Sequence, residues 1–142
     1  MVIAIGNDHA GTSLKQELLP IIESLGITAM DLGTNTSNIP VDYPDYAKAV
    51  SEAILDGRAS LGLLICGTGI GMSISANRHA GIRAALCHDV FSAQATRLHN
   101  DANVLVLGAR VVGGGHAQEI TKTFLSTQFS NQQRHIKRLD KL

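Results

Sequence analysis

The chain has 142 residues, 44% of them hydrophobic, which suits one domain, residues 1–142, with a core covered on two faces. Twelve Lys and Arg balance twelve Asp and Glu, so there is no general attraction to nucleic acid or acidic membranes. Cys66 and Cys87 lie in no CxxC pair and no run nears the ~20 apolar residues of a membrane span. These features exclude a disulfide framework, a zinc site and a bilayer helix, and make a soluble cytoplasmic protein the expectation.

Val2 to Ile5 is a β-branched run ending at the polar loop Gly6-Asn7-Asp8-His9-Ala10-Gly11, after which Leu14, Leu18, Ile21, Ile22 and Leu25 recur at helical spacing. Pro20 inside that pattern predicts a kink or a shorter helix, and Gly26 is placed to stop it. Ile27 to Leu32 reads as a second strand. After a polar connection from Gly33 to Asp42, Pro44 suits the first turn of a helix with Tyr46, Val50, Ala53 and Ile54 on one face and Gly57 at its end. A third strand, Leu61 to Ile65, runs into Cys66-Gly67-Thr68-Gly69-Ile70-Gly71, and a helix of small and apolar residues, about Gly71 to Asn77, is expected to be buried. Ile82 to Leu86 is a fourth strand, Asp89 an N-cap for a helix reaching about His99, Val104 to Leu107 a fifth strand, and His116 to Leu125 the last main helix. Strands alternating with helices predict a three-layer α/β/α, Rossmann-like domain with a five-stranded parallel sheet and a C-terminal helical tail.

The chemistry concentrates at Cys66 to Gly71. Three glycines at alternate positions strip side chains from the loop, so successive N–H groups can form an anion-binding nest at a helix start. Cys66, at the strand end beside that pole, is a candidate base or nucleophile. The spacing departs from a dinucleotide fingerprint because Met72 stands where the third glycine belongs, and there is no Lys-Ser/Thr pair of a P-loop. Met72 also occupies the position at which a thiol phosphatase needs its arginine. Cys87 has no such loop and reads as a packing residue. His79, His88, His116 and His135 lack a partner at metal-ligand spacing, so neither metal nor cofactor is expected.

In open α/β sheets ligands sit beyond the carboxyl ends of the strands. The loops Asn7-Asp8-His9, Cys66 to Gly71 and Ala109-Arg110 all qualify. His99-Asn100 does not, since it ends a helix of about eleven residues, ~16 Å by rise, that carries the chain back to the far edge of the sheet. If His99 serves the same substrate as Cys66, it comes from a second subunit. Asp8 in turn suits the commoner use of an aspartate, bonding the nearby helix N-terminus. In the tail, Arg134 and Arg138 lie four apart and so on one helical face.

Taken together, Asp8-His9-Ala10-Gly11, Asp31-Leu32-Gly33-Thr34, Asp42-Tyr43-Pro44, Cys66 to Gly71, Gly81-Ile82-Arg83-Ala84, His99-Asn100-Asp101, Asn103-Val104 and Gly108-Ala109-Arg110 resemble ribose-5-phosphate isomerase type B nearly end to end. The resemblance implies a metal-free aldose–ketose isomerase of the pentose phosphate pathway, converting D-ribose 5-phosphate to D-ribulose 5-phosphate. It implies Cys66 as the base moving the proton between C2 and C1, His99 as the group opening the furanose ring and Thr68 as an aid near the sugar oxygens. By the same resemblance the backbone of Gly67, Thr68, Gly69, Ile70 and Gly71 holds the enediolate, and Asp8 and Asn100 bond hydroxyls. His9, Arg110, Arg134 and Arg138 hold the phosphate, and Tyr43 borders the pocket. It further implies a homodimer or dimer of dimers sharing active sites, with the tail, about 128–142, at the interface. Asn7 departs from it, standing where many members have cysteine. Alternatives are an isomerase of allose 6-phosphate or galactose 6-phosphate, the latter needing an unlike partner subunit, and a non-catalytic sugar-phosphate binding module.

Overall fold

A computed structural model describes residues 1–142. Five strands, β1 (Val2–Asn7), β2 (Thr28–Asp31), β3 (Leu61–Cys66), β4 (Ala84–Leu86) and β5 (Val104–Gly108), form one parallel sheet in the order β2-β1-β3-β5-β4. The helices are α1 (Thr12–Ser24), α2 (Tyr43–Leu55), α3 (Ile70–Ala76), α4 (Val90–Asn100), α5 (Gly114–Ser126) and α6 (Gln133–Leu139).

The two-residue period of a strand sorts the central side chains between two cores. Ile3, Ile5, Leu63, Ile65, Leu105 and Leu107 face α1, α4 and α5, where Leu18, Ala93 and Phe124 meet them. Ala4, Leu64, Cys66, Val104 and Val106 face α2 and α3. Helix α2 approaches closely because Val50 fits against two bare strand positions: a Cβ on Gly6 or on Gly62 would sit 2.8 or 2.7 Å from its methyl groups. β1 leaves by α1 on one face toward β2, whereas β3 leaves by α3 on the other face toward β4. The crevice between their carboxyl ends is therefore the switch point of the sheet.

Three expectations change. Pro20 does not end α1, which continues to Ser24; the proline is exposed, so its turn lies on the side of the helix that faces water. Ile82 and Arg83 precede β4 rather than belong to it, because Arg83 N–H donates to the Asn103 side chain at 2.8 Å. Helix α3 is not buried: Met72 and Ala76 are enclosed, but Ile70 and Ile74, four apart on the opposite face, are 54% and 57% exposed. Gly26 and Gly57, both at φ +72°, do follow α1 and α2, and Pro44 and Asp89 stand at the helix starts expected of them.

Candidate active site

The three polar loops meet at the carboxyl edge of the sheet. Asp8 N–H donates to the Ile65 carbonyl at 3.2 Å, Ala109 N–H to the Cys66 carbonyl at 2.8 Å, and Arg110 N–H to the Gly67 carbonyl at 2.9 Å. These bonds extend the pairing of β1, β3 and β5 by one step and so fix the loops to one another. A Cβ on Gly67 would lie 3.3 Å from Nη1 of Arg110, which places the guanidinium directly over the glycine loop.

Cys66 is 5% exposed, and its Sγ accepts the N–H of Gly69 at 3.2 Å. Gly69 takes φ +79°, and a Cβ there would clash with Leu86 and approach the Leu107 carbonyl to 3.1 Å; glycine is required for both reasons. Thr68 Oγ1 accepts the N–H of Ile70 at 3.3 Å. Helix α3 has only seven residues and no side-chain cap at Gly69, so the positive potential at the loop comes from its own N–H groups and the Arg110 guanidinium over it rather than from a long helix dipole. A Cβ on Gly71 would fall 2.5 Å from Cζ of Tyr43, whose half-exposed ring therefore lies across the loop at the mouth of the crevice.

Asp8 has the capping role expected of an aspartate: its Oδ1 accepts from Ala10 N–H at 2.9 Å and Gly11 N–H at 3.2 Å. The His9 Nδ1 accepts the N–H of Val41 at 3.2 Å. An acceptor at Nδ1 puts the proton of the neutral ring on Nε2.

The sequence did not reveal what holds Val41 in place. Lys15 is 1% exposed on α1, and its Nζ donates to Asp31 Oδ1 and Oδ2, the Thr34 carbonyl and Asn35 Oδ1 at 2.8 to 3.0 Å. Asn7 Nδ2 adds a bond to the same Thr34 carbonyl at 3.0 Å, and Gly33 lies against the Asn7 amide. A buried ammonium with four acceptors thus ties down the first residues of the connection whose far end, at Val41, bonds His9. The only sequence signal was that Asp31 to Thr34 stands among the stretches carrying the resemblance.

The remaining predicted residues are elsewhere. His99 and Asn100 form the exposed last turn of α4, which leads back to the start of β5, whereas Cys66 pairs with Gly108 at the end of β5. Beside His99, at a ring separation of 4.7 Å, is His135 of α6, the helix that carries the exposed Arg134 and Arg138. His135 is buried and bonded to Ser130 Oγ at 2.7 Å; burial, then the charges of Arg134, His99 and Arg138, holds its pKa below the ordinary histidine value. The predicted site residues therefore form two groups at opposite ends of the sheet. Neither of the chain's cavities is lined by Cys66; the larger, about 630 Å³, lies at the other end, between Asn77, His79, Arg83, Asn100 and Leu139. No three His, Cys, Asp or Glu side chains converge in a metal-binding arrangement, and no helix is long and apolar enough to cross a membrane.

Known proteins share this fold and much of this sequence over nearly the whole chain. Residues 3–142 match the model of the ribose/galactose isomerase family. Ribose-5-phosphate isomerase B of Escherichia coli is 45% identical over 138 residues, covering 97% of this chain and 91% of the relative. The structure of ribose-5-phosphate isomerase B from Clostridium thermocellum superposes with a TM-score of 0.95 at 45% identity, covering 99% of this chain and 94% of that one. The corresponding enzyme of Thermotoga maritima gives 0.94 at 48%, covering 99% and 95%. The chain belongs to the ribose/galactose isomerase family.

Proposed function

We propose that this isomerase interconverts D-ribose 5-phosphate and D-ribulose 5-phosphate, at a site that takes Cys66 from one copy of the chain and His99 from another. The observation that carries the reading is the Cys66 thiol set in a loop of alternate glycines, with a backbone N–H on its sulfur and the Asp8-His9 and Ala109-Arg110 loops bonded beside it. The substrate assignment is supported by the names of the relatives that match nearly end to end.

The chemistry asks for what this edge offers. A C–H α to a carbonyl is weakly acidic, so its removal needs a positioned base and donors aimed at the oxygen that becomes negative. In the open-chain aldose, Cys66 as the thiolate takes the proton from C2 and becomes the thiol, the C2–H electron pair becomes the C1=C2 bond, and the carbonyl electrons move onto O1. Backbone N–H groups between Gly67 and Gly71 hold that charge. Transfer of the O2 proton to O1 and return of the thiol's proton to C1 give the ketose. Asp8 Oδ2, the oxygen not spent on Ala10 and Gly11, bonds a sugar hydroxyl, while Thr68 stays near the sugar oxygens.

His9, donating from Nε2, and Arg110 hold the phosphate from one side. His99, Asn100, Arg134 and Arg138 come from the second copy, opening the ring and completing the phosphate grip; paired arginines suit its geometry. Two further observations support a second copy: the Cys66 crevice is not enclosed by one chain, and exposed apolar side chains, Tyr43, Ile70, Ile74, Phe91 and Val111, stand on the elements around it. The tail, about 128–142, then packs at the interface, and a homodimer or dimer of dimers is the working form.

The test is NMR of the purified chain with ribose 5-phosphate in D2O. Ribulose 5-phosphate should form, with solvent deuterium entering the sugar. Absence of both conversion and exchange would reject the reading in favour of a six-carbon substrate, an unlike-partner subunit or a binding module.

A further inference from the structure

Asp101 ends α4 in the left-handed conformation, φ 44° and ψ 42°, one of two non-glycine residues with positive φ. Two guanidiniums hold its carboxylate: Arg97 Nη1 bonds Oδ1 at 3.1 Å and Arg83 Nη2 bonds Oδ2 at 2.9 Å. The same cations take up the carbonyls at the helix end. Arg83 Nε donates to the carbonyls of Asn100 and Asp101 at 3.2 and 2.9 Å, and Arg97 Nη1 donates to that of Ala102 at 2.6 Å.

The clamp reaches in two directions. Through Arg83, whose N–H is fixed by Asn103, it ties the turn to the start of β4. Through Arg97, stacked 5.5 Å over the Phe124 ring and donating to the Thr127 carbonyl at 3.2 Å, it ties the turn to α5 and to the strap leading into α6. Ser130 N–H, on that strap, donates to the Leu98 carbonyl at 3.2 Å. His99 and Asn100 sit between these anchors, exposed, with the His99 ring against that of His135. Their direction is thus set by the backbone turn on which they stand, and the Asp101 carboxylate joins its two halves.

We infer that Asp101, bridged between Arg83 and Arg97, is the positioning residue of the ring-opening half of the site: it fixes the turn that presents His99 and Asn100 to the partner copy's substrate. The inference rests on the proposed isomerase reading and assigns a role to residues outside it. It makes a chemical distinction, because ribose 5-phosphate is a closed ring that must open before C2 can be deprotonated, whereas ribulose 5-phosphate, its C5 hydroxyl esterified, stays open-chain. Loosening the His99 turn should slow the first process and spare the second.

The experiment compares Asp101→Asn with wild type at saturating substrate, measuring conversion of ribose 5-phosphate and exchange of the C1 proton of ribulose 5-phosphate in D2O. Asparagine tolerates the left-handed conformation, so the variant removes the charge and keeps the backbone. Conversion should fall between about 10- and 100-fold, the scale of a small displacement of a reacting group, while exchange stays within about threefold of wild type. Arg83→Ala, which leaves the Arg97 bond intact, should show a smaller loss of the same kind, and adding it to Asp101→Asn should lower conversion no more than about twofold further, as for residues acting through one contact. Equal falls in both rates would mean a merely structural role, and unchanged conversion would mean no role; either overturns the inference. Wild type that fails to exchange ribulose 5-phosphate at all would instead remove the isomerase reading, and the inference with it.

Discussion

β3 ends at Cys66 and β4 runs into Cys87, and each thiol stands just before a helix on the carboxyl side of the sheet. Both strand ends deliver a cysteine, but the glycine loop follows only the first, and their helix caps differ. After Cys66 the helix is capped by Gly69, which brings no side chain, so its N–H is left to the sulfur and that of Ile70 to Thr68. After Cys87 the helix is capped by Asp89, whose carboxylate takes both the N–H and the hydroxyl of Ser92 at 2.7 and 2.8 Å. Asp89 thereby satisfies the α4 terminus itself and sets a negative charge near its own thiol. Burial in the core against α1, α4 and α5, with Asp89 second, pushes Cys87 up to about 11. Burial first and the cap second, not the presence of a cysteine, set Cys87 apart from the junction at Cys66.

Removing the thiol from the first junction should have the largest effect. Cys66→Ala should lower kcat/KM by about 10²–10⁴, the usual worth of a positioned base, with Tm little changed; a variant that keeps most of its turnover would dissolve the distinction between the two thiols. Gly69→Ala attacks the same junction through its backbone, since the added methyl meets Leu86 and is strained at φ +79°. The N–H on Sγ should shift and activity fall about 10²–10³, as for loss of one such donor, and a thermal scan should show a drop that Cys66→Ala lacks.

The second junction should respond in the opposite sense. Cys87→Ser buries a hydroxyl among apolar neighbours and should cost about 1–3 kcal/mol of stability, read from denaturant unfolding, with kcat unchanged. A smaller effect is one of pH. Because the folded Cys87 thiol titrates near 11 instead of 9.0, its contribution to stability is full below pH 9 and lost as pH rises toward 11. Mass spectrometry after brief iodoacetamide treatment at pH 8 should accordingly find Cys87 unmodified while the fold is intact. Rapid labelling there would show that burial does not protect it.

The sheet and its helices were legible because apolar periodicity is a local property: Leu14, Leu18 and Ile22, or Ile3 and Ile5, announce their faces within a few residues. The position of His99 was legible too, since the rise of one helix suffices to carry it away from Cys66. The uninterrupted α1 was not, because the cost of Pro20 depends on whether its turn faces water. The exposure of Ile70 and Ile74 was hidden because composition reports hydrophobicity, not what covers it. The Lys15 cluster, the Val41 bond to His9 and the Arg83–Asp101–Arg97 clamp join residues mostly 16 to 32 positions apart, and no spacing rule selects such partners before the chain is folded.

The division of the site between two copies can be tested by subunit mixing. Cys66→Ala and His99→Asn chains are each expected to be nearly inactive alone. In a two-fold dimer that shares its sites, a mixed pair has one site carrying both defects and one carrying neither, so co-expressed chains that pair at random should recover about a quarter of wild-type activity. If each copy instead used its own Cys66 and His99, every site in every pair would carry a defect. A co-purified mixed dimer that stays inactive would contradict the account.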